Sequence, residues 1–225
     1  MIISHLHKFI FFKTRKTAGT SIEIALASVC GPDDIITGLN PEGLPKGYAH
    51  PVRNTSPQLQ YGHASAETVC QHISQDVWHS YTKIASIRNP WDRVVSMYWF
   101  RKQEPDWKNW SFAAFVDNFA TGGALHQNGL NIPSHCAFLK TKTESTLTTD
   151  ILIRFEYLWE DMDTLSKRLN VHLPTLPHAK GEYRKSKGHY SSYYDDYTRD
   201  LIASRYADDI ERFQFSFAQN THEAQ

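Results

Sequence analysis

The chain opens on two short apolar runs, Ile2-Ile3 and Phe9-Ile10-Phe11-Phe12, with polar residues between them. Each is too short for a helix and reads as a strand. After the second run the period changes. Ile22, Ala25, Leu26 and Val29 stand at i, i+3, i+4 and i+7, the stripe of an amphipathic helix, which Gly31-Pro32 stops. Residues 31 to 62 carry ten prolines and glycines and predict a long irregular connection, a class of segment that is usually functional or mobile. A short helix is expected over Ala66 to Ile73. Ile84-Ala85-Ser86-Ile87 reads as a buried parallel strand, broken by Asn89-Pro90. A helix follows with Val94, Val95, Tyr98 and Trp99 on one stripe, then another over Ser111 to Phe119 and a loop over Gly122 to Pro133. Ile151 to Phe155 is a further strand, Asp161 to Leu169 a helix, and His178 to His189 a basic loop. Asp195 to Phe213 reads as one C-terminal helix with Ile202, Tyr206, Ile210 and Phe213 facing inward. Strands alternating with helices predict a three-layer α/β fold, a central, mostly parallel sheet flanked by helices.

Length and composition narrow this picture. At 225 residues the chain is expected to form a single domain over 1–225. Lys plus Arg and Asp plus Glu both number 24, and aromatic residues make up 13%. Zero net charge with that many aromatics argues against disorder and against a nucleic-acid partner. No run approaches the ~18 apolar residues of a membrane span. Lys13, Arg15 and Lys16 follow the first apolar run rather than lead it, so no secretory leader is expected. Asn54-Thr55-Ser56 and Asn109-Trp110-Ser111 match a glycosylation pattern that has no meaning without secretion. The three cysteines, Cys30, Cys70 and Cys136, form no close pair, which fits a reduced, cytoplasmic protein.

The sharpest feature is Phe9 to Ser21. A strand feeds Lys13-Thr14-Arg15-Lys16-Thr17-Ala18-Gly19-Thr20-Ser21, and this loop opens onto a helix. Unpaired N–H groups and the helix dipole make such an end an anion site. Gly19 is expected to allow close backbone approach, Thr20 and Ser21 to add hydroxyls, and Lys13, Arg15 and Lys16 to add charge. The Walker pattern is absent, because Thr20 follows Gly19 and no glycine opens the loop. The plainer reading is a helix start with solvated charges. The second feature is Arg88-Asn89-Pro90-Trp91-Asp92-Arg93-Val94-Val95-Ser96. Arg88 falls at a strand end, where open α/β sheets bind ligands. With the Ser96 hydroxyl it makes a candidate phosphate site. The plainer reading is an Arg–Asp pair and a helix serine, with Arg93 bracing the loop through Asp92.

Together the two segments resemble the sulfotransferase superfamily, whose members use 3'-phosphoadenosine 5'-phosphosulfate (PAPS) on a P-loop-NTPase-like fold. Lys16-Thr17-Ala18-Gly19-Thr20-Ser21 is similar to the 5'-phosphosulfate loop in its Lys-Thr-x-x-Thr/Ser form. Arg88, Pro90, Arg93 and Ser96 are similar to the 3'-phosphate motif, about 70 residues later. The likeness is greatest to the carbohydrate (Golgi-like, family 2) branch. The resemblance implies a nucleotide site of Arg15, Lys16, Thr17, Ala18, Gly19, Thr20, Ser21, Arg88 and Ser96. Arg184, Lys185 and Ser186 are added from a basic loop that closes over the nucleotide in relatives.

The implied chemistry moves SO3 from the phosphosulfate to an acceptor hydroxyl. Positioning and charge stabilisation supply most of such a rate, and no metal is needed if Lys16 and the helix end neutralise the leaving phosphate. The acceptor must lose a proton. Among 12 histidines, His63 stands out, because Tyr61-Gly62-His63-Ala64 resembles the Gly-His element that carries the base in relatives acting on uronic acids. A carboxylate is the alternative base. His5 and His7 alternate along the first strand region, but without a third ligand they make no metal site. Trp99, Phe100, Trp107 and Trp110, interleaved with Arg101, Lys102 and Lys108, suit a sugar acceptor or a core. The competing readings are a P-loop-type kinase, which would need the missing Gly-Lys-Ser/Thr and a magnesium carboxylate, and a non-catalytic module binding nucleotide or glycan.

Overall fold

The computed structural model describes residues 1–41, 44–122, 132–144, 146–177 and 188–217. They fall into two compact units, 1–87 with 137–177 and 88–136 with 188–217, each counted over its described residues.

The first unit holds the sheet. Its strands are β1 (Ile2–Ser4), β2 (Phe9–Phe12), β3 (Ile35–Ile36), β4 (Thr82–Ile87) and β5 (Ile151–Arg154), in the order β3-β1-β2-β4-β5. β2, β4 and β5 run parallel, with Phe11 opposite Ile84 and Ile84 opposite Ile151. β1 runs antiparallel to both β2 and β3. The sheet is mixed but mostly parallel, since only β1 runs against the other four strands. The reason is local: only residues 5 to 8 join β1 to β2, and so short a link can close a hairpin but not a parallel crossover.

Every residue of β2 is buried, because it sits mid-sheet with helices on both faces. Phe9 and Phe11 join Ile2, Ile84 and Ile153 against α1 (Gly19–Ala27) and α7 (Leu158–Leu169), which contribute Ile22, Leu26, Met162 and Leu165. Ile10 and Phe12 point the other way with Ile3 and Ala85. They meet Ala66 and Val69 of α2 (Ala66–His72) and Trp78 of α3 (Gln75–Ser80). Each large apolar side chain so buried contributes about 1.5–3 kcal/mol. This gives the expected three layers.

The second unit is helical. It holds α4 (Pro90–Arg101), α5 (Phe112–Thr121), α8 (Asp196–Arg205) and α9 (Ala207–Phe213), and the start of α6 (His135–Leu139). Its core is aromatic: Tyr98 meets Phe112 and Phe115 edge-on, and Phe119 stacks on Phe115 and Tyr206. The single C-terminal helix expected over 195–213 is two helices broken at Tyr206. The break turns Asp209 inward, where its carboxylate accepts from the N–H groups of His135 and Cys136 and caps α6. Asp209 is fully buried, while Ile210 and Phe213 are only half-buried.

Candidate active site

β2 delivers the chain into the loop Lys13–Ala18, and α1 begins at Gly19. The loop is tied down from inside. The Thr14 hydroxyl donates to the Ser86 carbonyl (2.5 Å), and the Thr17 hydroxyl lies 2.7 Å from Ser86 Oγ and 3.0 Å from Thr14 Oγ1. Thr17 is fully buried, so its side chain staples the loop to β4 rather than facing outward. Lys16 and Ala18 both adopt left-handed backbone, at φ 66° and 58°. Non-glycine residues rarely occupy that region, and where a structure holds them there, function is a fair inference.

Ala18 is the N-cap of α1 and offers no side-chain acceptor, and the first turn holds no acidic residue. Ala18 does accept from the N–H of Ile22. By contrast, α2, α3, α5 and α8 have Ser65, Ser74, Ser111 and Asp195 accepting from their first-turn amides. The start of α1, like those of α7 and α9, lacks a side-chain cap, which these four helices carry. Arg15, Lys16 and Thr20 are half-buried around it, and Ser21 is buried.

Lys13 plays a different part from the one its sequence context suggests. Its ammonium is buried, 2.8 Å from Glu23 Oε2, and Glu23 is fully buried in α1. The other carboxylate oxygen accepts from the Met1 amine (2.5 Å), which also donates to the Gly62 carbonyl. Burial alone would raise the Glu23 pKa, but the Met1 and Lys13 ammonium groups hold it below the ordinary value. Lys13 also explains Gly19. A Cβ at that position would fall 2.7 Å from Lys13 Cγ, so the glycine makes room for the lysine stem.

His63 is attached to this loop. Its Nδ1 lies 2.8 Å from the Lys13 carbonyl. A carbonyl only accepts, so Nδ1 carries the proton and Nε2 keeps its lone pair. Burial lowers the His63 pKa to about 3, and Lys13 and Arg15 push in the same direction. The ring is therefore neutral near pH 7. The other histidine expectation changes: His5 and His7 lie in the turn after β1, bonded to the Tyr81 hydroxyl and the Val29 carbonyl, and do not alternate along a strand. Among the described residues no group of His, Cys, Asp or Glu is arranged to hold a metal.

The second motif lies in the other unit. Arg88 is buried, and its Nε and Nη2 lie 2.8 and 2.7 Å from Asp92 Oδ2. His135 Nε2 sits 3.2 Å from the Arg88 amide and fixes the turn. The Asn89 side chain caps α4 and Pro90 occupies its first turn. Ser96 is half-buried within α4. Asp92 thus braces Arg88, while Arg93 is fully buried, donates to the Pro133 carbonyl and lies over the Tyr206 ring. The aromatic group expected for a sugar is drawn into packing: Trp107 is buried with its ring 4.6 Å from that of Trp110, and Trp99 bonds to Tyr193. Arg184, Lys185 and Ser186 lie outside the described residues. Glu23, Thr14 and Ser86 escape sequence reasoning. The available signal is Glu23, a lone acid between Ile22 and Ile24.

These elements define an α/β protein in which a buried central strand feeds a basic loop and an uncapped helix. The Sulfotransferase family model matches residues 1–216, and the chain belongs to that family. Comparison with curated proteins and with solved structures gave no significant match. Membership makes the chain a transferase; the family generally uses PAPS and a hydroxyl-bearing acceptor. No helix among the described residues is long and apolar enough to cross a membrane.

Proposed function

We propose that the protein transfers a sulfuryl group from PAPS to a hydroxyl, in a carbohydrate acceptor, with residues 1–225 acting as one P-loop-NTPase-like catalytic domain in the cytoplasm. The observation that carries this reading is the 2.8 Å bond from His63 Nδ1 to the Lys13 carbonyl, which attaches a neutral imidazole to the phosphosulfate-type loop.

In this mechanism the amides of Thr17, Ala18, Gly19, Thr20 and Ser21, with the Thr20 and Ser21 hydroxyls and Arg15, hold the 5'-phosphosulfate. Arg88 and Ser96 take the 3'-phosphate, and Arg184, Lys185 and Ser186 are assigned to the nucleotide as well. The acceptor oxygen attacks sulfur in line as the bond from sulfur to the 5'-phosphate oxygen breaks. The acceptor proton passes to His63 Nε2. Lys16 meets the charge that appears on the leaving phosphate oxygen. A base with pKa about 3 is weak. The bound phosphosulfate brings negative charge beside the ring and raises its proton affinity when it is needed.

Thermal unfolding with 3'-phosphoadenosine 5'-phosphate, AMP, and ATP with magnesium tests the donor. At 100 times its dissociation constant the 3'-phosphorylated nucleotide should stabilise by ~2.7 kcal/mol, or about 5–10 °C. Transfer of labelled sulfate from PAPS to a sugar panel then tests the acceptor. A shift with ATP and magnesium alone would replace this reading with a kinase. A shift with the 3'-phosphorylated nucleotide but no transfer to any hydroxyl would leave a binding module.

A further inference from the structure

We propose that Glu23 is a positioning residue for His63, acting through Lys13. The proposal rests on the function proposed above and extends it to a residue outside both phosphate motifs.

The geometry forms a short chain of contacts within the first unit. Glu23 Oε2 lies 2.8 Å from Lys13 Nζ, both groups being buried. The lysine stem runs from that pair to the main chain directly beneath Gly19, where there is no room for even one extra carbon. The Lys13 side chain is thus clamped between the second turn of α1 and its first residue. Its carbonyl is the acceptor for His63 Nδ1. Fixing the side chain fixes the peptide that selects the histidine tautomer. Glu23 reaches the histidine by a second route: its Oε1 meets the Met1 amine, which donates to the carbonyl of Gly62, the residue before His63. The Thr37 hydroxyl also lies within 3.2 Å of Oε1.

The cost of burying these charges points the same way. A buried ion pair is weak as a stability device, since well-packed apolar residues often do as well. Here a full carboxylate is kept between Ile22 and Ile24 on the buried side of α1. Its use is geometric: one anion at one place holds the start of the phosphosulfate loop and the approach to the histidine in a single register.

The test is the nitrogen spectrum of histidine-labelled protein, with the His63 signal assigned by its loss in His63→Ala. The intact protein should show a single neutral tautomer at His63, protonated at Nδ1 and bare at Nε2. In Glu23→Gln the tautomers should mix. Its kcat should fall about 10- to 100-fold, as expected when a catalytic group is misplaced, with a smaller change in the dissociation constant for 3'-phosphoadenosine 5'-phosphate. A single unchanged tautomer with kcat intact overturns the proposal. If Glu23→Gln does not fold, the paired variant Lys13→Met/Glu23→Gln removes both buried charges at similar volume. Mixed tautomers are expected there, and a retained single tautomer overturns the proposal equally. Full turnover in His63→Ala would instead refute the base assignment, while the tautomer result would still judge the link from Glu23 to His63.

Discussion

The two segments proposed to hold phosphate are built in opposite ways. At the first, the end of α1 has no side-chain cap and no acid in its first turn, and the strained residues Lys16 and Ala18 shape the chain ahead of it. In the function proposed above, the helix end itself takes the anion. At the second, α4 is already closed by Asn89, and Asp92 stands in its first turn. What that motif offers is the buried Arg88 guanidinium, held in place by Asp92, while Arg93 is taken up by the Pro133 carbonyl and the Tyr206 ring. The first site is thus built from main chain and dipole, and the second from a side chain prepaired with a carboxylate. Main-chain binding should tolerate many side-chain changes apart from the group that meets the reacting atoms. Side-chain binding should hang on a single residue.

The strongest way to break this contrast is at the reacting atoms. His63→Ala should lower kcat by about 10²–10⁴-fold, with nucleotide affinity retained in a titration with 3'-phosphoadenosine 5'-phosphate. Lys16→Ala should cost about 10²–10³-fold in kcat and little in affinity, because the amides of the loop remain. Loss of affinity equal to the loss of turnover would mean that the loop binds by its lysine and not by its main chain. Arg88→Ala should do the reverse, weakening the nucleotide by roughly 10- to 100-fold, the worth of a charged hydrogen bond, while kcat at saturation holds. Ser96→Ala should weaken it only by several-fold, as for a neutral hydrogen bond.

A separate test concerns stability and pH. His63 has a folded pKa of about 3 against an ordinary 6.5. Between those values the unfolded chain takes up a proton that the folded chain refuses, so stability is complete above about pH 6.5 and is lost as pH falls toward 3. Melting temperatures at pH 7 and pH 4.5 should therefore diverge less in His63→Ala than in the parent. His50 and His135 are shifted in the same direction and persist in both proteins, so the comparison isolates His63.

Much of this frame was visible in the chain itself. Phe9–Phe12, the Ile22-Ala25-Leu26 stripe and the run ending at Ile87 announce β2, α1 and β4, and both phosphate segments fall at their ends as expected. The errors have physical sources. β4 begins two residues before its apolar run, because Thr82 and Lys83 pair with Phe9 and Ile10, and backbone pairing ignores side-chain polarity. Ile35–Ile36 adds a strand to β1 inside a stretch dense in prolines and glycines. α3 is six residues with few apolar positions, and only its Ser74 cap could have signalled it. α4 and α5 do follow their stripes, yet nothing local says that Trp107 and Trp110 pack on each other rather than on a sugar. In the site, a lysine looks the same in sequence whether solvated or paired. Lys13 meets Glu23 only because α1 folds back over β2, a tertiary event.

The left-handed backbone at Lys16 carries a consequence for any effort to harden this protein. A non-glycine residue in that conformation costs roughly 1–2 kcal/mol, so Lys16→Gly would relieve strain while deleting the charge proposed to meet the leaving phosphate. A screen that rewarded heat resistance alone would favour such exchanges. Resilience and turnover pull apart at this one residue, and a variant library should be sorted on both.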